Sequence, residues 1–450
     1  MEVQTVTVAV LGGGMTGVVL AATLARDARF RVSLFERGSC LGGLHKSPVI
    51  NDYAYDIGAF FFEPDHPVFA TFPGLIEQFV PFDVKVCSIF EGGFQDLYPL
   101  TVKGYVRSRG LGGLARAVAS LTLSKLRYRR RDTVAAFCRY YIGGELYETS
   151  GLRRYIERLY GLRDTEIDLM FAQQRMATLA NWASLRTIAR HASTYPARLW
   201  RSGYAKPRAL ARPREGFQAV YSHIEQSLSN AGVSVHKSAH ISKIDRTSQG
   251  FSVTGDGVQT QFDRVVSTAP VPVTGRLIGV EMLHRFETMD LLTLFYQFEG
   301  DPGFNAVTLS NFSQGGRWKR IIDFAGFYGT KNGRHYLSVE ITVAAGALLD
   351  VKDEVRQFEE HARSLGLFHV GRLILEGHHV TANAYPVFRR DSVDLIERDK
   401  QLVSDWGVVL AGRQGEFEYI SSEQAAMSAI ALAHRMTAEL GLPDNAMTPG

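Results

Sequence analysis

Cysteine is scarce in this chain: Cys40, Cys87 and Cys138 are the only three among 450 residues. They lie far apart, with no Cys-x-x-Cys pair and no Cys/His ligand spacing, so neither a disulfide framework nor a metal site is expected. A sparse, odd set of thiols suits a reducing cytoplasm, the expected location. No run approaches the roughly 20 apolar residues that a membrane-spanning helix needs. No basic leader precedes Val6-Thr-Val-Ala-Val-Leu11, which reads as a buried strand and not as a secretory signal. Repeats and low-complexity linkers are missing. The net charge of +4 is small for the length and does not by itself point to nucleic acid.

What is present is an ordinary globular composition, 45% hydrophobic and 21% charged, in a chain too long for one compact core, so two domains are expected. Residues 6–36 read as strand, glycine turn, helix over 16–28 and second strand over 31–36, a βαβ unit. A second α/β patch begins near Arg214. It has a helix over 216–231 and short strands at 233–236, 251–253 and 265–270. A third closes the chain with a strand at 408–411, a Gly-Arg turn and a helix over 422–439. Residues 66–207 read as mostly helical and Arg-rich. Residues 271–380 read as strand-rich, with strands at 291–298 and 336–343. The tail after Leu440 reads as frayed.

Gly12, Gly14 and Gly17 fit G-x-G-x-x-G in Gly12-Gly13-Gly14-Met15-Thr16-Gly17. The first glycine allows the tight turn, the second lets the backbone approach a pyrophosphate, and the third lets helix pack on strand. The amides and dipole at the helix start favour phosphate charge. The motif alone is weak, but here it sits between strand and helix, and Glu36 ends the next strand about 20 residues on, where an acid takes ribose hydroxyls. A dinucleotide with a free 2′-hydroxyl follows, FAD or NAD before NADP.

The residues after Glu36-Arg37 carry the choice further. Gly42-Gly43-Leu44 follows at once, and Tyr55-Asp56-Ile57-Gly58 soon after. This series resembles the flavoprotein superfamily of amine oxidases, protoporphyrinogen oxidase, carotenoid desaturases and UDP-galactopyranose mutase. In that group the glycine pair lies near the FAD pyrophosphate and flavin, and the Asp-x-Gly segment leads into the flavin-facing strand. Tyr155-Ile-Glu-Arg-Leu-Tyr-Gly161 is similar to a Tyr-x-x-Lys-x-x-Gly block, with Arg158 in place of the lysine. Arg175 falls where such proteins carry an arginine. Gly216-Phe217 with His240-Ile241 resembles the second FAD segment, which puts backbone near Ile241 against adenine. Ser267-Thr-Ala-Pro270 resembles the family's Thr-x-Pro. Tyr385-Pro386 and Gly412-Arg413-Gln-Gly415-Glu-Phe417-Glu-Tyr419 are most like the mutases.

The resemblance implies an α/β fold: a Rossmann-like, glutathione-reductase-type FAD-binding domain over 1–65, 208–270 and 380–450. An inserted α+β substrate domain takes 66–207 and 271–379. It implies non-covalent FAD, since no cysteine lies where some amine oxidases attach flavin. The cofactor would rest on Gly12, Gly14, Met15, Thr16, Gly17, Glu36, Arg37, Gly42, Gly43, Leu44, Gly58, Ile241, Gly412, Arg413, Tyr419 and Ile420. Arg413 would neutralise pyrophosphate charge.

Flavin supplies the redox chemistry itself, so the lack of a catalytic triad excludes nothing. Three readings stand: hydride transfer from a small or sugar-derived metabolite to flavin N5, mutase-like chemistry on a nucleotide sugar without net redox change, and a non-catalytic FAD-binding partner. Against the mutase stands Gly58-Ala-Phe60-Phe61-Phe62-Glu63, where mutases carry a histidine-rich strand. Phe60, Phe62, Arg175, Tyr385 and Tyr419 are candidates to line the substrate pocket, with no catalytic residue assigned. His191 and His335 read as structural or surface groups, and the His378-His379 pair approaches the site better. The expected partner is a small-molecule substrate, phosphorylated or nucleotide-linked ones included. Arg107, Arg109, Arg116, Lys125, Arg127 and Arg129 to Arg131 form a basic stretch with few acids. Apolar residues at helical spacing from Leu111 to Leu126 allow peripheral contact with an anionic membrane. Nucleic acid is not expected, because no stacking aromatics interleave with the basic run.

Overall fold

The computed structural model describes residues 5–128, 132–176 and 208–440. Arg129 to Arg131, His191, the helical reading of 177–207 and the tail from 441 lie outside the described residues.

Val6–Leu11 sits at the centre of a five-stranded parallel sheet. Phe30–Phe35 and then Ser234–His236 lie on one side, and Arg264–Ser267 and then Val409–Leu410 on the other. The pairing is in register from Val6 opposite Phe30 to Leu11 opposite Phe35. An unbroken apolar run forms the central strand because both of its faces are covered: Val8, Ala9 and Val10 are fully buried. The helix Met15–Leu24 is buried along its whole length. It packs against Phe217–Asn230 and against Ser422–Ala438, the last begun by a Ser421/Gln424 capping box.

A seven-stranded sheet follows the order Arg372–Pro386, Thr288–Glu299, Arg334–Ala344, Trp318–Asp323, Thr308–Asn311, Val86–Ile89, Gln95–Leu97. All its pairings are antiparallel but one, Thr308–Asn311 with Val86–Ile89. A separate antiparallel sheet of Ile241–Thr247, Gly250–Gly255 and Val258–Phe262 hangs beside the parallel one. The fold is mixed α/β with a parallel sheet.

The mostly helical reading of 66–207 holds for its described residues but leaves out three short strands. Its described residues do hold the helices Val102–Arg127, Val134–Ile142, Gly144–Thr149, Leu152–Tyr160 and Leu169–Arg175. They also hold the strands Val80–Asp83, Val86–Ile89 and Gln95–Leu97. These are short and take their identity from distant partners, Val80 pairing with Ala211 and Val86 with Thr308. Local pattern carries little of that. The strand-rich segment likewise contains a helix, Val351–Ser364, capped by Asp350. Among the described residues no helix is long and apolar enough to cross a membrane, and no group of His, Cys, Asp and Glu could hold a metal ion.

Candidate active site

Three glycine segments converge at the carboxyl end of the central strand. Gly12 has φ +105°, and a Cβ there would stand 2.2 Å from Thr268 Oγ1, so only glycine makes this turn without displacing the neighbouring crossover. Gly14 begins the helix without a side-chain cap, and the nearest atom to a Cβ built there is Gly43 Cα at 3.8 Å. Gly42 N–H donates to Gly13 O at 2.9 Å, which holds the glycine pair against the loop. Gly412, with φ +74°, closes the third side, where an added Cβ would come within 2.2 Å of Thr16 Oγ1. Backbone amides at the start of a buried helix, and glycines at 14 and 43 close enough that an added Cβ at Gly43 would stand 3.1 Å from Gly14 Cα, fit a pyrophosphate. Glu36 accepts from Gly13 N at 2.8 Å and Gly38 N at 2.6 Å, while Arg37 is exposed. Ala239 N–H donates to Glu36 O at 2.9 Å, so the chain leading to Ile241 runs beside the acid.

The Tyr55-Asp56-Ile57-Gly58 segment is tied down from below. Asp56 Oδ1 accepts from Arg212 Nε at 2.8 Å and from Ser47 Oγ at 2.6 Å. Arg212 also donates to the carbonyls of Ala54, Pro213 and Arg214. Tyr55 Oη donates to Glu376 Oε2 at 2.6 Å. Beyond Gly58, Ala59 N–H donates to Glu340 Oε1 at 3.1 Å. Phe60 is half-buried and meets His45 edge-on at 4.8 Å. Phe62 packs against Phe69, Phe79 and Phe217 and is buried. It belongs to the hydrophobic core. His45, missed from the sequence, stacks on Phe217 at 4.7 Å and shares a 2.8 Å hydrogen bond with the Tyr221 hydroxyl. Burial, with a smaller push from His66, holds its pKa down at about 3.

The C-terminal block meets the helical segment and the large sheet in one cluster. Arg175 lies over the Tyr419 ring, 4.3 Å from its centroid, and Arg413 lies over the same ring at 4.6 Å. Tyr385 and Tyr419 pack edge to face at 5.2 Å. Lys319 Nζ donates to Tyr385 Oη at 2.9 Å and to Glu340 Oε2 at 3.0 Å, and Arg320 Nε donates to Glu340 Oε1 at 2.6 Å. Arg413 spends its terminal nitrogens on Ile420 O and Ala384 O, at 2.9 and 2.7 Å, rather than on the glycine loop. Its buried Nε has no partner among the described residues and is a donor a ligand acceptor could meet. Tyr98 is 46% exposed, yet surrounding protein desolvates it and Arg175, Arg320 and Lys319 are near enough to act on it.

The charges set the proton affinities. Burial pushes the Tyr419 phenol up, but Arg175, Lys319, Arg413 and Arg320 together outweigh it and hold the pKa below the ordinary value. Burial raises Tyr385, against the pull of Lys319. Burial and Arg320 push Lys319 down, but Glu340, Tyr385 and Tyr419 carry it above its usual value, so it is an ammonium. Burial lowers Arg413.

Of the sequence candidates, Arg175, Tyr385, Tyr419 and Arg413 come together. Phe62 does not join them, and His335 is occupied by Asp323 at 2.8 Å. Lys319, Arg320 and Glu340 were missed. Their signal was in the sequence: adjacent cations in Trp318-Lys-Arg-Ile-Ile-Asp323, and one acid inside the apolar run Leu337-Ser-Val-Glu-Ile341. Charges inside a central strand are costly unless paired.

A family model described as flavin containing amine oxidoreductase matches residues 15–366. No curated protein sequence matches the chain. Among solved structures, reduced UDP-galactopyranose mutase superposes with a TM-score of 0.78 at 15% identity, over 99% of this chain and 97% of that one. A proposed protoporphyrinogen oxidase from Exiguobacterium sp. 255-15 gives 0.72 at 14%, over 96% and 99%. Putrescine oxidase bound to putrescine gives 0.59 at 13%, over 96% and 99%. At such identities the likeness is one of fold.

Proposed function

The chain belongs to the flavin containing amine oxidoreductases and is an FAD-dependent enzyme, and from that premise we propose that it oxidises an anionic, phosphorylated or nucleotide-linked metabolite. The observation that carries this reading is the meeting of Arg175, Lys319, Arg320 and Arg413 with a single carboxylate, Glu340, beside Tyr385 and Tyr419. Desolvated cations with too few internal counter-charges favour an anionic ligand. A neutral amine or sugar would leave them uncompensated. Bound FAD would supply the redox chemistry, as hydride acceptor. Arg175 and Arg413 then orient the substrate's anionic group. Lys319 holds the Tyr385 hydroxyl in place, and the Tyr419 ring lies between Arg175 and Arg413 at the same site.

In this reading FAD is non-covalent. Its pyrophosphate lies on Gly12 to Gly17 with Gly42-Gly43, its ribose at Glu36 and Arg37, and its adenine by Ile241. The flavin lies by Leu44, Gly58, Gly412, Tyr419 and Ile420, with Arg413 Nε as one donor to it or to the substrate. The parallel sheet would be the core of a glutathione-reductase-type domain over 1–65, 208–270 and 380–450. The seven-stranded sheet and the helices of 66–207 and 271–379 would form the substrate domain.

Mutase-like chemistry on a nucleotide sugar is the second reading. It is favoured by the match to UDP-galactopyranose mutase over nearly the whole chain and opposed by Phe60-Phe61-Phe62 in place of histidines. Anaerobic flavin bleaching distinguishes the readings, with nucleoside-diphosphate sugars, sugar phosphates, neutral sugars and amines as donors. The expected result is bleaching by a phosphorylated donor, and loss of about 2–5 kcal/mol of its binding in Arg175→Ala. Bleaching by amines with no effect of Arg175→Ala would sink the proposal. Turnover of a nucleotide sugar only after chemical reduction, with no net redox, would establish the second reading. A yellow protein inert to every donor would mark a non-catalytic FAD binder.

A further inference from the structure

The helix Val102–Arg127 has one face that the fold uses and one that the described residues leave bare. It breaks at Gly110, whose φ is +69°, and from there to Arg127 the two faces are sharply divided. Gly113, Ala117 and Ser124 are buried. Ser120 Oγ accepts from Glu145 N at 3.0 Å and Ser124 Oγ from Gly144 N at 3.3 Å. Small side chains thus fasten the helix to Val134–Ile142 and Gly144–Thr149. At about 100° per residue, Leu111, Ala115, Val118, Thr122 and Leu126 fall in one stripe diametrically opposite. Leu111 is 74% exposed, Val118 58%, Leu126 64%, and Leu123 beside them 67%. Scattered exposed leucines need no explanation, but a continuous stripe on one helix does.

Charge says what covers it. From Leu97 to Arg131 the chain holds nine Lys and Arg and no Asp or Glu, although the whole chain carries only +4, so the remainder is net acidic. Arg116 and Arg127 border the stripe on one side; both are exposed, Arg116 reaching Glu145 at 3.2 Å. Lys125 borders it on the other, over the rings of Tyr140 and Tyr141. An apolar face rimmed by cations, on a helix that cannot span a bilayer, is the arrangement that lies in a headgroup interface. The protein's acidic remainder would be repelled from such a surface, which gives the contact one orientation.

We propose that the Leu111–Arg127 part of this helix docks the protein on an anionic lipid surface, with Leu111, Val118, Leu123 and Leu126 at the acyl boundary and the bordering arginines on phosphate headgroups. The docking itself does not depend on which substrate the flavin oxidises.

The test is co-sedimentation of the FAD-loaded protein with vesicles of phosphatidylcholine alone or mixed with phosphatidylglycerol. Binding at least tenfold stronger to the mixed vesicles, and weakened by salt, is expected. The variant Leu111→Ser with Val118→Ser and Leu126→Ser should lose that binding, while Leu348→Ser, an isolated exposed leucine elsewhere, should not. A polarity-sensitive dye on Val118→Cys should shift to the blue with mixed vesicles only. Retained flavin absorbance shows that each variant is folded. Equal or absent binding to both vesicle types would overturn the proposal. So would a dimer, seen by sedimentation velocity, that the triple serine variant dissociates, or a Val118→Cys thiol that is unreactive in the vesicle-free monomer.

Discussion

At the scale of single residues, glycines of one motif do different jobs. A Cβ at Gly17 would stand 1.9 Å from Gly12 O, backbone against backbone, whereas one at Gly14 meets nothing closer than 3.8 Å. Gly17→Ala is therefore expected to destabilise the apoprotein itself, by about 1–3 kcal/mol as for other overpacked cores. Gly14→Val should leave apoprotein stability within roughly 1 kcal/mol and yet abolish flavin retention, because the added methyls fill the space a pyrophosphate needs. Denaturant melts of the apoproteins and the flavin-to-protein absorbance ratio separate the two effects. A yellow Gly14→Val protein would contradict the placement of the cofactor. The motif was legible from spacing alone, but the division of labour was not, since it depends on which atoms from distant parts of the chain stand opposite each glycine.

Among elements, the joint that matters is the one under the Tyr55–Gly58 segment. Asp56 and Arg212 are both buried, and their bond ties Tyr53–Ala54 and Gly58 to Arg208–Ala211 and to the start of Phe217–Asn230. Burial raises the Asp56 pKa against the pull of Arg212 and Ser47. Arg212→Met would leave that carboxylate unpaired, and the loss of stability is expected to be about 3–5 kcal/mol, read from chemical denaturation. A loss below roughly 1 kcal/mol would show that the pair is not a tie. The Asp-x-Gly sequence was noticed for its likeness to a flavin-facing strand. Its structural role became visible only with Arg212, which no local pattern connects to it. Longer elements were easier to read: Val6–Leu11, Met15–Leu24 and Ser422–Ala438 are continuous apolar or amphipathic runs, and their caps and periods are local. Val80–Asp83 and Gln95–Leu97 were missed because so short a strand is defined by its neighbour.

For the molecule as a whole, the parallel sheet, the Gly42-Gly43 turn and the Gly412 block enclose one site contributed by the two ends of the chain. A ligand bound there by the native state and not by the unfolded chain stabilises the fold, by about 2.7 kcal/mol when free ligand is a hundred times its dissociation constant. Thermal scans of apoprotein at rising FAD should show the midpoint climbing steadily, and Gly14→Val should show no such climb. A midpoint indifferent to FAD in the unaltered chain would contradict the site. By itself the sequence determined the glycine turn and the acid at Glu36, because a tight strand-to-helix turn demands glycines at short, fixed spacings, and its resemblance to a family singled out Arg175, Tyr385, Tyr419 and Arg413, which the fold brings together. Only the tertiary structure decided that Lys319, Arg320 and Glu340 join them, that Phe62 belongs to the core, and that a small-residue face turns an apolar helix stripe outward. Those outcomes rest on strand register and on which helix face finds a partner, and both are set by contacts between residues far apart in the chain.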